Sequence, residues 1–212
     1  MIVLINPNAT VSMTQSMLST ARATAPGLNI VGWTSHAGPP AIQGVEDGEA
    51  ATAPLLQLVE KAANQGATCI IIGCFDDTAL AQARALVRCP VIGIGQAAYF
   101  VAAAAGARFS VVTTLEVSVP ILEANIKAYG LSSSLGQVRA SGVPVLALES
   151  SPEAASQQIA ATIQTAVQED KVNHIVLGCG GMVDVNTHMA NPQNLRLIDG
   201  VRAAAHLAAA LN

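Results

Sequence analysis

Apolar positions fall in two alternating patterns along the chain. Short unbroken runs rich in Ile and Val alternate with longer stretches in which apolar residues recur every three or four positions. The first kind reads as buried strands and the second as amphipathic helices. MIVLIN at 1–6 is a strand, broken by Asn6-Pro7-Asn8. Thr10 or Ser12 can cap a helix that reaches residue 25, where Pro26-Gly27 stops it. A strand is expected over 29–33, and a Gly- and Pro-rich loop over 36–48. A helix over 49–65 ends at Gly66. A strand over 67–73 leads into a helix opened by Asp76-Asp77 and running to residue 87. A strand over 90–94 and an Ala-rich helix over 96–105 follow. The pattern then restarts: strand 109–113, helix 117–129, strand 143–148, helix 152–169, strand 174–178, strand 195–198 and helix 201–211. Strands alternating with helices predict an α/β fold with mostly parallel sheets flanked by helices.

The restart is a repeat. ATCIIIGC at 67–74 matches VNHIVLGC at 172–179, an offset of 105 residues. The same offset carries Gly95 onto Gly200, and Val3-Leu4-Ile5-Asn6 pairs with Val111-Val112-Thr113-Thr114 near it. Internal repetition of this kind predicts two similar α/β lobes related by a pseudo-two-fold axis.

Composition narrows the class. The 212 residues are 51% hydrophobic, 11% charged and 3% aromatic, which excludes a disordered chain. A chain of this length buries a core without needing disulfides or a structural metal. No apolar run reaches the roughly 18 residues of a membrane span, and the first residues lack the basic region of a secretory signal. The ten Lys and Arg are scattered and the net charge is −4, so no nucleic-acid footprint is expected. A surface so poor in charge points to a homo-oligomer. The four cysteines, Cys69, Cys74, Cys89 and Cys179, form no C-x-x-C pair and have no His at zinc-ligand spacing. Free thiols in the reducing cytoplasm, with no metal and no cofactor, are the expectation.

Cys69 lies inside a strand and Cys89 before Pro90, and both read as core residues. Cys74 and Cys179 differ, because each ends a strand of the repeat. Ligands of open α/β sheets bind outside the carboxyl ends of strands. A helix N-terminus there would lower a thiol's pKa. Two like groups at equivalent positions suit a racemase: one thiolate removes a proton from one face of a carbon and the other thiol returns one to the opposite face. Backbone N–H groups around Phe75-Asp76 and Gly180-Gly181 could hold the charge that moves onto the adjacent carbonyl oxygen. Asp76 and Asp77 read as helix-start residues, although their charge would raise the neighbouring thiol's pKa. His174 reads as structural, and His36, His188 and His206 have no local catalytic partner. Glu149 is open between a pocket residue and a surface charge, and Met13 with Met17 reads as core.

Five segments together resemble the hydantoin racemase branch, allantoin racemases included, of the aspartate/glutamate racemase superfamily. They are Asn6-Pro7-Asn8-Ala9-Thr10, Gly73-Cys74-Phe75-Asp76-Asp77, FSVVTTL at 109–115, VPVLALE at 143–149 and VLGCGGM at 176–182. The resemblance implies a cofactor-independent, two-cysteine racemase acting on a ring carbon, with Cys74 and Cys179 as the catalytic pair. It also implies substrate contacts from Asn8, Thr113, Thr114, Gly180 and Gly181. It implies lobes that are not sequential: 1–95 with 201–212 form the first and 96–200 the second, with the site between them. The family commonly forms oligomers. Uncharged Asn, Thr and backbone groups can satisfy a hydantoin's two N–H donors and two carbonyls, whereas a free amino acid's carboxylate calls for an Arg. Gln43 and Gln96 stand where the family often has Glu, Val45 and Glu46 where a bulkier residue is expected, and Gly180 where many hydantoin racemases have Ala. Met182 and Asp184 stand where glutamate racemases carry a His. These departures bear on the substrate's side chain and keep allantoin open. Three other readings remain. One is a maleate isomerase, in which a single cysteine is a nucleophile, or a free amino-acid racemase. The second is a non-enzymatic small-molecule binder, and the third a thiol–disulfide protein.

Overall fold

The computed structural model describes residues 1–183 and 195–211; Asp184 and His188 lie outside them. Among the described residues eight strands form two four-stranded sheets in which every pairing is parallel. The first holds β1 (Ile2–Asn6), β2 (Ile30–Thr34), β3 (Cys69–Ile72) and β4 (Val91–Gly93) in the order β2-β1-β3-β4. The second holds β5 (Phe109–Thr113), β6 (Leu135–Ala140), β7 (His174–Gly178) and β8 (Arg196–Asp199) in the order β6-β5-β7-β8. The two orders are the same, as the repeat predicts. Ile2 pairs with Cys69 in one sheet and Phe109 with His174 in the other, so the two central strands of each sheet start together and end within one residue of each other.

The central strands are buried along their whole length, which is why they read as largely apolar runs. Their two faces feed different cores. Val3, Ile5, Ile70 and Ile72 pack with Leu55 and Val59 of α2 (Val45–Asn64). Val112, Ile175 and Leu177 pack with Ile159 and Ile163 of α7 (Pro152–Glu169). The alternate residues Leu4, Ile71, Val111 and Val176 share one core that runs through both halves. Helices α1 (Val11–Thr24), α4 (Ile94–Ala104), α5 (Val119–Ala128) and α8 (Gly200–Ala210) contribute to it.

Two of these helices change sides. α4 follows β4 of the first sheet but packs on β7 and β8 of the second, and α8 follows β8 yet packs on α1, β3 and β4. The helices also pack on one another, at a place that leaves no room for a side chain. A Cβ on Gly200 would stand 2.6 Å from the Ile94 carbonyl oxygen, and one on Gly95 would collide with the Phe75 carbonyl.

The structure corrects four expectations. Residues 143–148 are not a strand: Pro144 cannot donate to a ladder, the Val145 N–H bonds the Gln43 side chain, and α6 (Ala147–Ser150) follows. The edge strand in that place is β6, which the apolar pattern misses because an edge strand needs few buried residues; only Val138 in it is buried. The helix after Cys74 does not start at Asp76-Asp77. Asp77 and Ala79 take left-handed backbone, with φ of 50° and 53°, so α3 (Leu80–Leu86) starts later. The helix placed over 49–65 already begins at Val45, with Glu46 and Asp47 in its first turn.

Two glycine substitutions test the packing in opposite directions. Gly200→Ala should destabilise the fold by about 2 kcal/mol in urea unfolding, because the added methyl meets backbone. Gly48→Ala, in α2 with open space around it, should stabilise by about 1 kcal/mol.

Candidate functional site

Both sheets reverse their direction of winding between their two central strands. The crevice outside the strand ends at such a point is where open α/β sheets bind ligands. Here the two crevices meet in one cleft. Asn8 follows β1, Gly73, Cys74, Phe75 and Asp76 follow β3, Thr114 follows β5, and Gly178, Cys179 and Gly180 close β7; all line it. The loops touch: a Cβ on Gly180 would lie 3.3 Å from the Gly73 carbonyl oxygen and 3.0 Å from the Met17 sulfur. Glycine at 180, where an Ala was the alternative, thus lets the two cysteine loops close on one another. The cavity is about 30 Å³.

Each thiol has the same local partner. The Gly181 N–H donates to Cys179 Sγ at 3.4 Å, and the backbone of Asp76 bonds Cys74 in the same way, two residues on. Thr78 adds a hydroxyl to Cys74 Sγ at 3.3 Å. These donors favour thiolates but do not prevail. Burial pushes the Cys179 thiol up to about 12, and the nearby Asp76 charge adds to it. Burial and then the same charge push Cys74 well above the ordinary thiol range. The helix-end lowering expected for Cys74 is absent, because α3 starts six residues later. Burial alone raises the Asp76 carboxyl to about 7, and its Oδ2 is buried without a hydrogen-bond partner among the described residues.

Asp77 has a different task from its neighbour. Its carboxylate accepts the Gly95 and Gln96 N–H groups at the start of α4, at 3.1 and 2.7 Å, and the Tyr129 hydroxyl at 2.8 Å. It therefore caps α4 rather than the helix that follows it. Asn125 Nδ2 donates to the Asp76 carbonyl at 2.8 Å. Asn125 and Tyr129 sit on or just beyond α5 of the second half, so that half holds the Cys74 loop from outside. Phe75 is held edge-on by the Tyr99 ring, with centroids 5.4 Å apart.

The remaining sequence-predicted residues divide. Asn8 Oδ1 accepts Asn6 Nδ2 at 2.8 Å and the Thr10 N–H at 3.0 Å, which fixes its side chain at the cleft wall. Thr114 lines the cleft, whereas Thr113 turns away and donates to the Gly178 carbonyl at 2.9 Å. Gly181 meets Cys179 through its N–H rather than lining the cavity. Glu149 is exposed, and its Oε2 accepts the Ser12 hydroxyl at 2.7 Å, a tie between the halves. His174 starts β7, at the end away from the cleft, and its Nδ1 meets Asn173 Oδ1 at 2.7 Å. His36 and His206 are exposed.

Sequence reasoning missed Ser118, Ile42 and Val145 in the lining, and it read Met13 only as core. Ser118 stands before Val119-Pro120 at the start of α5, a helix-start signal that could have placed it at a strand-to-helix turn. Ile42 and Val145 carry no such signal, because irregular loops bring them in from opposite halves. Among the described residues the lining has no Lys, Arg or His, and no group of three or more His, Cys, Asp or Glu is placed to hold a metal ion. No helix among them is long and apolar enough to cross a membrane.

Comparison with known proteins identifies the family. The family model described as Asp/Glu/Hydantoin racemase matches residues 2–208. A hydantoin racemase of Rhizobium meliloti is 40% identical over 209 residues, covering 98% of this chain and 87% of the relative. Among solved structures, allantoin racemase from Klebsiella pneumoniae superposes with a TM-score of 0.93 at 36% identity, covering 99% of this chain and 86% of that one. Allantoin racemase from Pseudomonas fluorescens does so at 0.93 and 34%, covering 99% and 89%. On the family match over nearly its whole length and the 40% identical relative, this chain belongs to the Asp/Glu/hydantoin racemase family.

Proposed function

We propose that this protein is a cofactor-independent racemase of 5-substituted hydantoins, with Cys74 and Cys179 exchanging protons at the ring carbon. The observation that carries the reading is the pair of thiols at equivalent strand ends in one cleft, each met by the N–H two residues on. One thiolate takes the ring-carbon proton from one face, and the opposite thiol delivers its own to the other. The reverse reaction swaps the roles, so no proton is left over. With the Asp76 and Gly181 N–H groups committed to the sulfurs, the Phe75 and Gly180 N–H groups and the Thr114 hydroxyl are the donors for the developing oxyanion.

A neutral ring suits this lining. A free amino acid would bring its carboxylate into a cleft that has the Asp76 carboxyl and no basic side chain among the described residues. Allantoin is the second reading, favoured by the two allantoin racemase structures that superpose so closely. The same proposal takes 1–95 with 201–212 as one lobe and 96–200 as the other. The packing of α8 on α1, β3 and β4 supports that division. It also takes the protein to be a cytoplasmic homo-oligomer. Apolar side chains exposed at Phe100, Val101, Leu207 and Leu211 support a covered face.

Solvent deuterium exchange on single enantiomers of 5-substituted hydantoins and allantoin, without added cofactor or metal, tests the activity. Exchange with loss of optical rotation is expected, and silence on all of them overturns the reading. Cys74→Ser and Cys179→Ser should each lower racemisation by on the order of a thousandfold or more, since a hydroxyl is a far weaker acid than a thiol and forms almost no oxyanion to act as the base at neutral pH. Each variant should keep exchange without inversion for one enantiomer only; a variant that racemises normally excludes the two-thiol mechanism.

Because both thiols rest protonated, kcat/KM should climb as the pH rises above 7. Asp76→Asn removes the charge that raises both thiols, so the climb should move to lower pH. The same substitution should stabilise the fold. The folded-state pKa of Asp76 lies above its ordinary value, so the carboxylate opposes folding fully above about 7 and not at all below about 4. The gain in Tm of Asp76→Asn over the natural chain should therefore be largest at pH 8 and vanish as the pH falls to about 4.

A further inference from the structure

One carboxyl breaks the near-symmetry of the cleft. The repeat that lays Cys74 on Cys179 lays Asp76 on Gly181, so only one half carries an acid at this place. Asp76 lines the cleft, and its Oδ2 is buried with no partner among the described residues. Its main chain is pinned on both sides, by the bond to Cys74 and by the Asn125 side chain on its carbonyl. The carboxyl is thus held in place with a free acceptor, and its charge reaches both sulfurs. A group that acts on both thiols stands near the carbon at which they must meet.

A symmetric pair of thiols treats the two faces of a ring alike. In its plane the ring is not symmetric: the reacting carbon is bonded to a nitrogen on one side and a carbonyl carbon on the other. As the proton leaves, negative charge gathers on that carbonyl oxygen. A carboxylate beside it would oppose the reaction, whereas beside the nitrogen it accepts an N–H. The one-sided acid therefore fits only one orientation of the ring.

Resting on the racemase reading above, we propose that Asp76 is a specificity-determining residue: its Oδ2 accepts the N–H on a nitrogen bonded to the reacting carbon and turns the carbonyl toward Thr114 and Gly180. The substrate class is cyclic ureides that carry that donor. Rings with oxygen in its place present lone pairs to the carboxylate and are rejected. Filling a buried, unpartnered acceptor is the kind of interaction that separates substrates strongly, because the analogue leaves it empty.

The test compares two rings of nearly the same shape, 5-methylhydantoin and 5-methyl-1,3-oxazolidine-2,4-dione, by kcat/KM for deuterium exchange in the full-length protein. The intrinsic acidities of the two carbons differ. That difference cancels when the ratio of the two rates is compared between the natural chain and a variant. Asp76→Gly, which makes the first half like the second, should lower the hydantoin preference at least tenfold. Asp76→Asn keeps a carbonyl acceptor without the charge, and should lower it less. It also serves if the glycine variant does not fold. A preference that changes less than tenfold in Asp76→Gly, or less than threefold in Asp76→Asn where the glycine variant does not fold, overturns the assignment while leaving the racemase reading intact. A natural chain that exchanges neither these rings nor any hydantoin overturns both.

Discussion

Gly180 lies against the Gly73 carbonyl oxygen, and that approach is the constraint on which the rest of the molecule depends. It brings the loops after β3 and β7 together, and those loops carry the two thiols. A methyl on Gly180 would press on that oxygen and on the Met17 sulfur, so any larger side chain there would displace the loops. The same logic recurs where α4 meets α8, with Gly200 against the Ile94 carbonyl and Gly95 against that of Phe75. Close backbone approach at these points joins two separate sheets around one shared core.

The cysteine loop of the first half takes its shape largely from outside its own half. Two of its residues adopt left-handed backbone, at a cost of about 1 kcal/mol or more each. Asp77 is kept in that conformation by the start of α4 and by Tyr129, and the neighbouring peptide by Asn125. The geometry at Cys74 is therefore a property of the assembled halves. Burial inside that assembly sets the electrostatics too. It outweighs the N–H donor at each sulfur and the hydroxyl at Cys74, and the Asp76 charge adds to it, so the cleft holds neutral thiols beside a carboxyl raised to about 7.

The strands that read clearly from the chain are the buried ones. β1, β5 and β7 are mostly apolar and buried at every position because both faces are covered, and the expected and observed ends nearly coincide. The edge strand β6 escaped because one apolar side chain, Val138, is enough to seat it. Yet the 105-residue offset that pairs the cysteines carries Ile30, the start of β2, onto Leu135, the start of β6. The repeat held that information where local hydrophobicity did not. Residues 143–148 misled for the opposite reason, since Val143 and Val145 are buried without being in a strand.

By itself the sequence determined the alternation of elements, the duplication and the two strand-end cysteines. Each follows from local periodicity or from direct comparison of one segment with another. Only the tertiary structure decided that Asp77 caps a helix from which it is separated by strand β4, and that Thr114 rather than Thr113 faces the cleft. Only it decided that Ile42 and Val145, from opposite halves, line one cleft and that both thiols rest protonated. Those outcomes depend on burial and on partners far away in the chain, and no run of neighbouring residues encodes either.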